Sequence, residues 1–192
     1  MRVAILSRER STHPGGDLIH IDAVTKELAK LGVERVYFDG CRGGQGVPPQ
    51  ELEGFDLAHI YHINVSWVRE CVQSGLRAGL PMVATCIHYP SDALGVTRDE
   101  VNEWLWSMVY PICYSKKEEK RIREWHNYRG AMEIVYPGVD PVFFGRGYVE
   151  ERHWVLTVEA REGAKNTKLV EEACAKLGLP YQKVTGIPHA EL

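Results

Sequence analysis

The chain has 192 residues, of which 44% are hydrophobic and 26% charged, and its formal net charge is −3. These values are typical of a globular protein and exclude a disordered, collagenous or coiled-coil chain. The slight negative charge argues against nucleic acid as the main ligand, and no apolar stretch approaches the ~20 residues of a membrane-spanning helix. The short, strand-like N-terminus does not resemble a signal peptide.

The five cysteines are scattered and form no CxxC pair. Zinc sites and disulfide frameworks are therefore poor interpretations, and a reducing, cytoplasmic location is expected. Asparagine and glutamine are scarce while arginine and glutamate are plentiful, a balance that favours a thermophilic source.

Strand and helix signals alternate along the first 140 residues. Residues 2–7 predict a buried strand, a loop ending in Gly15 and Gly16 follows, and Asp17 is expected to cap a helix that ends at Gly32. Further strands are predicted over residues 33–38, 57–61, 82–86, 112–114 and 132–136, and helices over residues 65–76, after Thr97 and after Ser115. Thr97 and Ser115 are each followed three residues later by a glutamate, which is the capping-box pattern.

This alternation predicts an α/β fold with a Rossmann-like parallel sheet and helices on both faces. The first domain is expected over residues 1–140 and a linker over 141–152. Residues 153–192 then predict a strand, a helix and a strand, an incomplete second βαβ unit. Two strands and one helix cannot bury a core of their own. We therefore expect cover from the first domain, from chain beyond Leu192, or from a homodimer or partner chain.

The common phosphate-binding signatures GxxxxGK[ST] and GxGxxG are both missing. Gly15 and Gly16 could let a ligand anion approach the backbone at a helix start, or they could form only a flexible turn. In open α/β sheets, ligands bind outside the carboxyl ends of the strands. Six polar residues fall at such predicted ends: Ser7, Asp39, His62, His88, Ser115 and Asp140. His62 and His88 could orient a hydroxylated ligand or could be structural histidines bonded to backbone.

The helix after Ser115 carries five basic residues between Lys116 and Arg123, with glutamates interleaved. Pairs such as Glu119 and Arg123 lie at i,i+4 spacing, so a solvated, salt-bridged face is favoured over a membrane-binding patch. Trp104 and Trp106 are two residues apart and cannot share a helix face. One of them is expected in the core and the other at the surface.

Several segments, in this order, resemble retaining, nucleotide-sugar-dependent glycosyltransferases of the GT-B fold, in the large family 4 group. The resemblance covers nearly the whole chain. It is carried by residues 2–16 with the helix behind them, Asp56 to His62, Gly79 to His88, Tyr114-Ser115, Val135 to Asp140 with Phe143-Phe144, and Leu156 to Glu172.

The resemblance implies an acceptor-binding first domain, a donor-binding second domain and a cleft between them. The histidine matching His88 would line this cleft near the transferred sugar and act by hydrogen bonding. The glycine loop at Gly15 and Gly16, with Arg161 and Lys165, would neutralise the departing diphosphate without a metal or other cofactor. His62, Ser115 and Asp140 would line the acceptor side. The expected partners are a nucleotide sugar and an acceptor.

Two features depart from the family pattern. Arg161 lies about one position from the expected arginine, and the chain ends where the second domain begins. We therefore expect a partial chain with little activity alone. One alternative is a non-catalytic GT-B-type binding module whose donor site comes from a partner chain. Another is a flavodoxin-like domain that binds a flavin or phosphate after Ser7.

Overall fold

The computed structural model describes residues 1–7, 16–39, 45–63, 65–87, 96–107, 109–138, 155–158 and 167–184. It divides the chain into two compact units, Met1–Gly138 and Val139–Leu192.

The described part of the first unit alternates strands and helices. Its strands are β1 (Arg2–Ser7), β2 (Glu34–Asp39), β3 (Leu57–Tyr61), β4 (Met82–Thr85), β5 (Val109–Cys113) and β6 (Glu133–Ile134). Its helices are α1 (Gly16–Lys30), α2 (Val68–Arg77), α3 (Arg98–Ser107) and α4 (Lys116–His126), with a 3₁₀ turn at Pro49–Leu52.

The six strands form one sheet in the order β2-β1-β3-β4-β5-β6, and every neighbouring pair is parallel. The predicted α/β class, with its parallel Rossmann-like sheet, is confirmed. From β1 the chain first moves outward to β2 and then crosses back to β3. The strand order therefore reverses between β1 and β3, and ligands of open α/β sheets bind at the carboxyl edge of such a point.

Alternation along the buried strands divides the apolar side chains between the two faces of the sheet. Val3 and Ile5 of β1 pack with Leu18 and Ile21 of α1. Ala4 and Leu6 belong to a larger cluster on the other face. That cluster includes residues of α2, α3 and α4, such as Val72, Trp104 and Ile122. The predicted division of the two tryptophans is confirmed, since Trp104 is buried and Trp106 is 55% exposed.

The second unit contains β7 (Val155–Val158), α5 (Thr167–Leu177) and β8 (Tyr181–Val184). β7 and β8 are parallel neighbours, as the predicted βαβ pattern requires. The predicted linker, residues 141–152, lies outside the described residues.

The predicted bounds of β5 and β6 were wrong. β5 begins at Val109 and runs through Pro111, a residue usually excluded from central strands because it lacks an N–H donor. β6 pairs only with Ile112 and Cys113, so β5 has a partner strand on one side only at Pro111. β6 itself is two residues long, not the five predicted.

A disulfide framework was a poor interpretation of the sequence, but one described cysteine is nevertheless paired. Cys71 of α2 is disulfide-bonded, and its partner lies outside the described residues. Distance along the sequence does not limit closeness in space, so scattered cysteines can still pair. Cys86, Cys113 and Cys174 are free and buried.

Candidate functional site

Four of the predicted site residues lie at the carboxyl edge of the sheet within the described residues: Ser7, Asp39, His62 and Ser115. Ser7 ends β1, His62 follows β3, and Ser115 follows β5. Gly16 is the first residue of α1, and Asp39 ends β2. The other predicted site residues lie outside the described residues: Gly15, His88, Asp140, Arg161 and Lys165.

His62, which follows β3, has an uncommon backbone conformation. Its φ is 67°, in the left-handed region, where a residue other than glycine is strained and where functional sites often hold such strain. Its Nε2 lies 3.3 Å from Oδ2 of Asp17, and both side chains are more than nine-tenths buried. The His62 ring also meets the edge of Trp67, with centroids 5.5 Å apart.

Asp17 occupies the first turn of α1, where the helix dipole favours a negative charge. The sequence predicted Asp17 as the N-cap, the residue just before the first residue of the helix. The helix instead begins at Gly16, so Asp17 lies inside its first turn, and the carboxylate of Asp17 contacts His62. This contact ties the start of α1 to the end of β3 across the point where the strand order reverses.

Three hydroxyls form what we call the hydroxyl cluster: Ser7 Oγ, Tyr61 Oη and Tyr114 Oη. All three atoms are buried and have no hydrogen-bond partner among the described residues. Leu6 of β1 pairs in register with Ile60 of β3, so Ser7 and Tyr61 are level neighbours. The ring of His20 meets Tyr61 and Tyr114 edge-on, with centroids 5.9 and 4.9 Å away. His20 of α1 therefore packs against both tyrosines.

Burial disfavours the charged form of two histidines beside this cluster. Burial, with a smaller effect of the nearby His20, lowers the pKa of His59 to about 4. Its Nε2 lies 2.8 Å from Oγ1 of Thr85, and its ring stacks on Tyr61 with centroids 4.5 Å apart. Burial also lowers the pKa of His20.

The tyrosine hydroxyls of the cluster keep their protons. Burial raises the pKa of Tyr61, with a smaller effect of Tyr37. Burial also raises the pKa of Tyr114, helped by Tyr61, Glu118 and Asp17. Both hydroxyls are therefore available to donate as well as to accept hydrogen bonds.

Ser115 is the N-cap of α4. Its Oγ accepts a hydrogen bond from the backbone N–H of Glu118 at 3.2 Å, and the Glu118 carboxylate accepts one from the N–H of Tyr114 at 2.7 Å. The predicted N-cap at Ser115 is confirmed, although the Glu118 carboxylate binds the N–H of the preceding residue and not that of Ser115. The capping box of Thr97 and Glu100 is confirmed with both of its hydrogen bonds. The contact of Ser115 with an acceptor stays a prediction.

Sequence reasoning missed Asp17, His59, Tyr61 and Tyr114 as members of this edge. Each tyrosine adjoins a residue that was singled out, His62 or Ser115. Period-two alternation places Tyr61 on the same face as Ile5 and Ser7 of the neighbouring strand. The sequence does not indicate where α1 packs on the sheet. In the structure this helix brings His20 and Asp17 into contact with residues at the ends of these strands.

A small apolar cavity also reaches His62. It has room of about 10 Å³, and its lining includes Val68, Val101 and Trp104. This volume suits at most one water molecule, so the cavity is no substrate pocket. Within the described ranges, no three side chains that could ligate a metal come together. No described helix is long and apolar enough to cross a membrane.

Comparison with known proteins shows a likeness to a solved structure. No protein-family model matches the chain, and no curated protein matches it in sequence. Among solved structures, HepE from Anabaena, crystallised in complex with UDP, superposes with a TM-score of 0.59 at 12% identity. The match covers 96% of this chain and 69% of HepE. At this identity the likeness shows a shared fold.

Proposed function

We propose that this chain is part of a retaining glycosyltransferase that takes a hexose from a nucleotide-diphosphate sugar, with a GT-B, family 4-like plan. The observation that carries the proposal is the fold likeness, over 96% of the chain, to a protein crystallised with UDP. UDP is the group that departs when a UDP-sugar donates its sugar. The ordered motifs that resemble family 4 enzymes support the same function independently.

On the donor side, the proposal assigns the diphosphate to Arg161, Lys165 and the start of α1 at Gly15 and Gly16. The leaving diphosphate gains negative charge in the transition state. Fixed cations and backbone N–H groups stabilise that charge best when they are already in position. This assignment calls for no metal ion.

On the acceptor side, the proposal places His88 beside the transferred sugar as a hydrogen-bonding group. His62, Ser115 and Asp140 would line the acceptor region. His62 lies where the strand order reverses, the place at which open α/β sheets bind ligands. Its side chain is held there by Asp17. Both observations support a role for His62 in the acceptor region. Because the hydroxyl of Ser115 is used to cap α4, the role we assign to Ser115 is to position this helix.

The proposal is tested by isothermal titration of UDP, ADP and GDP into the purified chain. We expect UDP to bind with one-to-one stoichiometry, and Lys165→Ala to weaken it at least about tenfold, which is 1.4 kcal/mol. The matched control is Lys168→Ala, which removes an exposed lysine of the same unit and should leave the affinity unchanged.

Binding of none of the three nucleotides would favour the alternative, a binding module whose donor site is supplied by a partner chain. Equal loss in Lys165→Ala and Lys168→Ala would mean that net charge, and not a defined diphosphate site, holds the nucleotide.

A further inference from the structure

The helix of the second unit, α5, exposes a row of apolar side chains. Within α5, whose residues are all described, only Thr167 and Cys174 are buried. Leu169 is 65% exposed, Leu177 is 72% exposed, and Ala173 between them is also exposed. These three residues are spaced four apart, so they lie along one face of the helix, which we call the leucine stripe. Exposed leucines are ordinary when scattered, whereas an aligned row is typical of an interaction surface.

The leucine stripe is complementary in shape to a second copy of itself. Leu169 and Leu177 lie four residues on either side of Ala173. If two copies of α5 cross antiparallel about a two-fold axis at Ala173, Leu169 of each copy faces Leu177 of the other. The small side chain of alanine at the crossing point lets the two helices approach closely, because the distance between packed helices is set by the side chains at their contact.

The charges beside the stripe fit the same arrangement. Glu172 and Lys176 are both exposed and lie on one flank of the stripe, four residues apart. A two-fold axis at Ala173 keeps this flank on the same side of both helices and reverses its direction. Glu172 of one copy therefore lies beside Lys176 of the other, and this attractive pair occurs twice. Complementary charges at an interface favour one partner and one orientation.

We propose that the leucine stripe is the interface of a homodimer, in which two copies of α5 pack antiparallel across Ala173. This dimer goes beyond the proposed function, because its formation requires neither a nucleotide nor an acceptor. A single pair of short helices is at the small end of protein interfaces. We therefore expect weak dimerisation, with a dissociation constant on the order of 10 µM.

The first test is sedimentation velocity of the full chain at concentrations from about 1 to 500 µM, which span the expected dissociation constant. We expect a reversible equilibrium between monomer and dimer. Leu169→Glu should weaken dimerisation at least about tenfold, because it places a charge in the apolar contact. The matched control is Leu31→Glu, at a leucine of the first unit that is 78% exposed, and it should leave dimerisation unchanged. Circular dichroism verifies that both variants are folded.

A charge exchange tests the orientation of the two helices. Lys176→Glu should weaken the dimer by about threefold or more, because it puts a second negative charge beside Glu172 of the other copy. The double variant Lys176→Glu, Glu172→Lys should restore dimerisation, since the two attractive pairs form again with their signs exchanged. The matched control is Lys168→Glu, which makes the same change of charge at an exposed lysine of α5 away from this flank.

Disulfide trapping tests the position of the two-fold axis. Ala173→Cys should cross-link two copies on mild oxidation, because this position meets itself at the axis. Non-reducing gel electrophoresis measures the cross-linked fraction. The matched control is Ala175→Cys, which is exposed on the opposite side of the same helix and should cross-link much less. The neighbouring Cys174 is buried.

A chain that stays monomeric at about 500 µM would overturn the inference and leave the stripe to a different partner. An unchanged dimer in Leu169→Glu, or equal cross-linking of Ala173→Cys and Ala175→Cys, would also overturn it. Failure of the charge exchange to restore dimerisation would reject the antiparallel pairing, and association beyond a dimer would indicate a non-specific apolar contact. Titration of UDP into the same samples separates the two proposals, since UDP binding by a monomeric chain would reject the dimer alone.

Discussion

His59 should make the first unit lose stability on mild acidification. In the unfolded chain its imidazole takes up a proton near the ordinary pKa of 6.5, whereas in the folded protein it does so only near 4. The unfolded state therefore binds more protons between these values, and stability that is complete above pH 6.5 falls as the pH drops toward 4. The loss amounts to about 2 kcal/mol by pH 5 and about 3 kcal/mol by pH 4.

The matched variant is His59→Gln, whose side-chain amide can still hydrogen-bond Thr85 but does not titrate. Urea unfolding followed by tryptophan fluorescence between pH 5 and 8 measures the effect. The wild-type free energy of unfolding should fall more steeply with acid than that of the variant. His20, whose pKa is also lowered, acts in the same direction in both proteins. Identical pH profiles would show that His59 is not held neutral by burial, and would refute the reasoning.

Three further changes test local features of the fold. Ser115→Ala should lower stability by about 1 kcal/mol through loss of the α4 cap, whereas Ser115→Asp should retain it. Gly46→Ala should cost about 1 kcal/mol or more, because φ is +72° and the added Cβ would lie 2.6 Å from Oγ of Ser74. Glu100→Gln should cost less than about 1 kcal/mol, since its pair with Arg69 is partly exposed. The pKa of Glu100, held at about 2 mainly by Arg69, makes that contribution disappear as the pH falls from 4.5 toward 2.

Urea denaturation measures all three changes. Equal stabilities of Ser115→Ala and Ser115→Asp would argue against the cap. A neutral Gly46→Ala would mean that the turn relaxes. If the free energies of unfolding of Glu100→Gln and the wild type change in parallel below pH 4.5, the pair with Arg69 does not cause the expected loss of stability.

The sheet was predictable because its strands are buried on both faces and read as short apolar runs between glycine-rich turns. Val3 to Leu6 is such a run, and its place in the sheet followed from the alternation with helices. Capping boxes at Thr97 and Ser115 gave two helix starts correctly, since the pattern is local. The start of β5 was predicted too late because proline is normally excluded from central strands. Pro111 fits into β5 because β6 does not extend to this position, which leaves one side of β5 without a partner strand.

The site was less predictable than the fold, for a physical reason. His62 and Ser7 could be placed at the carboxyl edge from strand order alone. The contact of Asp17 with His62, 45 residues away, depends on how α1 crosses the sheet. The burial of Tyr61 and Tyr114 around His20 depends on the same helix. No local pattern encodes that crossing.

Nucleotide binding by this chain is tested most simply by titrating the ¹⁵N-labelled protein with UDP, and separately with FMN, and recording two-dimensional NMR spectra. We expect saturable shifts with UDP that include amides of the second unit, and no saturable response to FMN. A saturable response to FMN confined to the first unit, with none to UDP, would contradict this expectation and favour a flavodoxin-like binding domain.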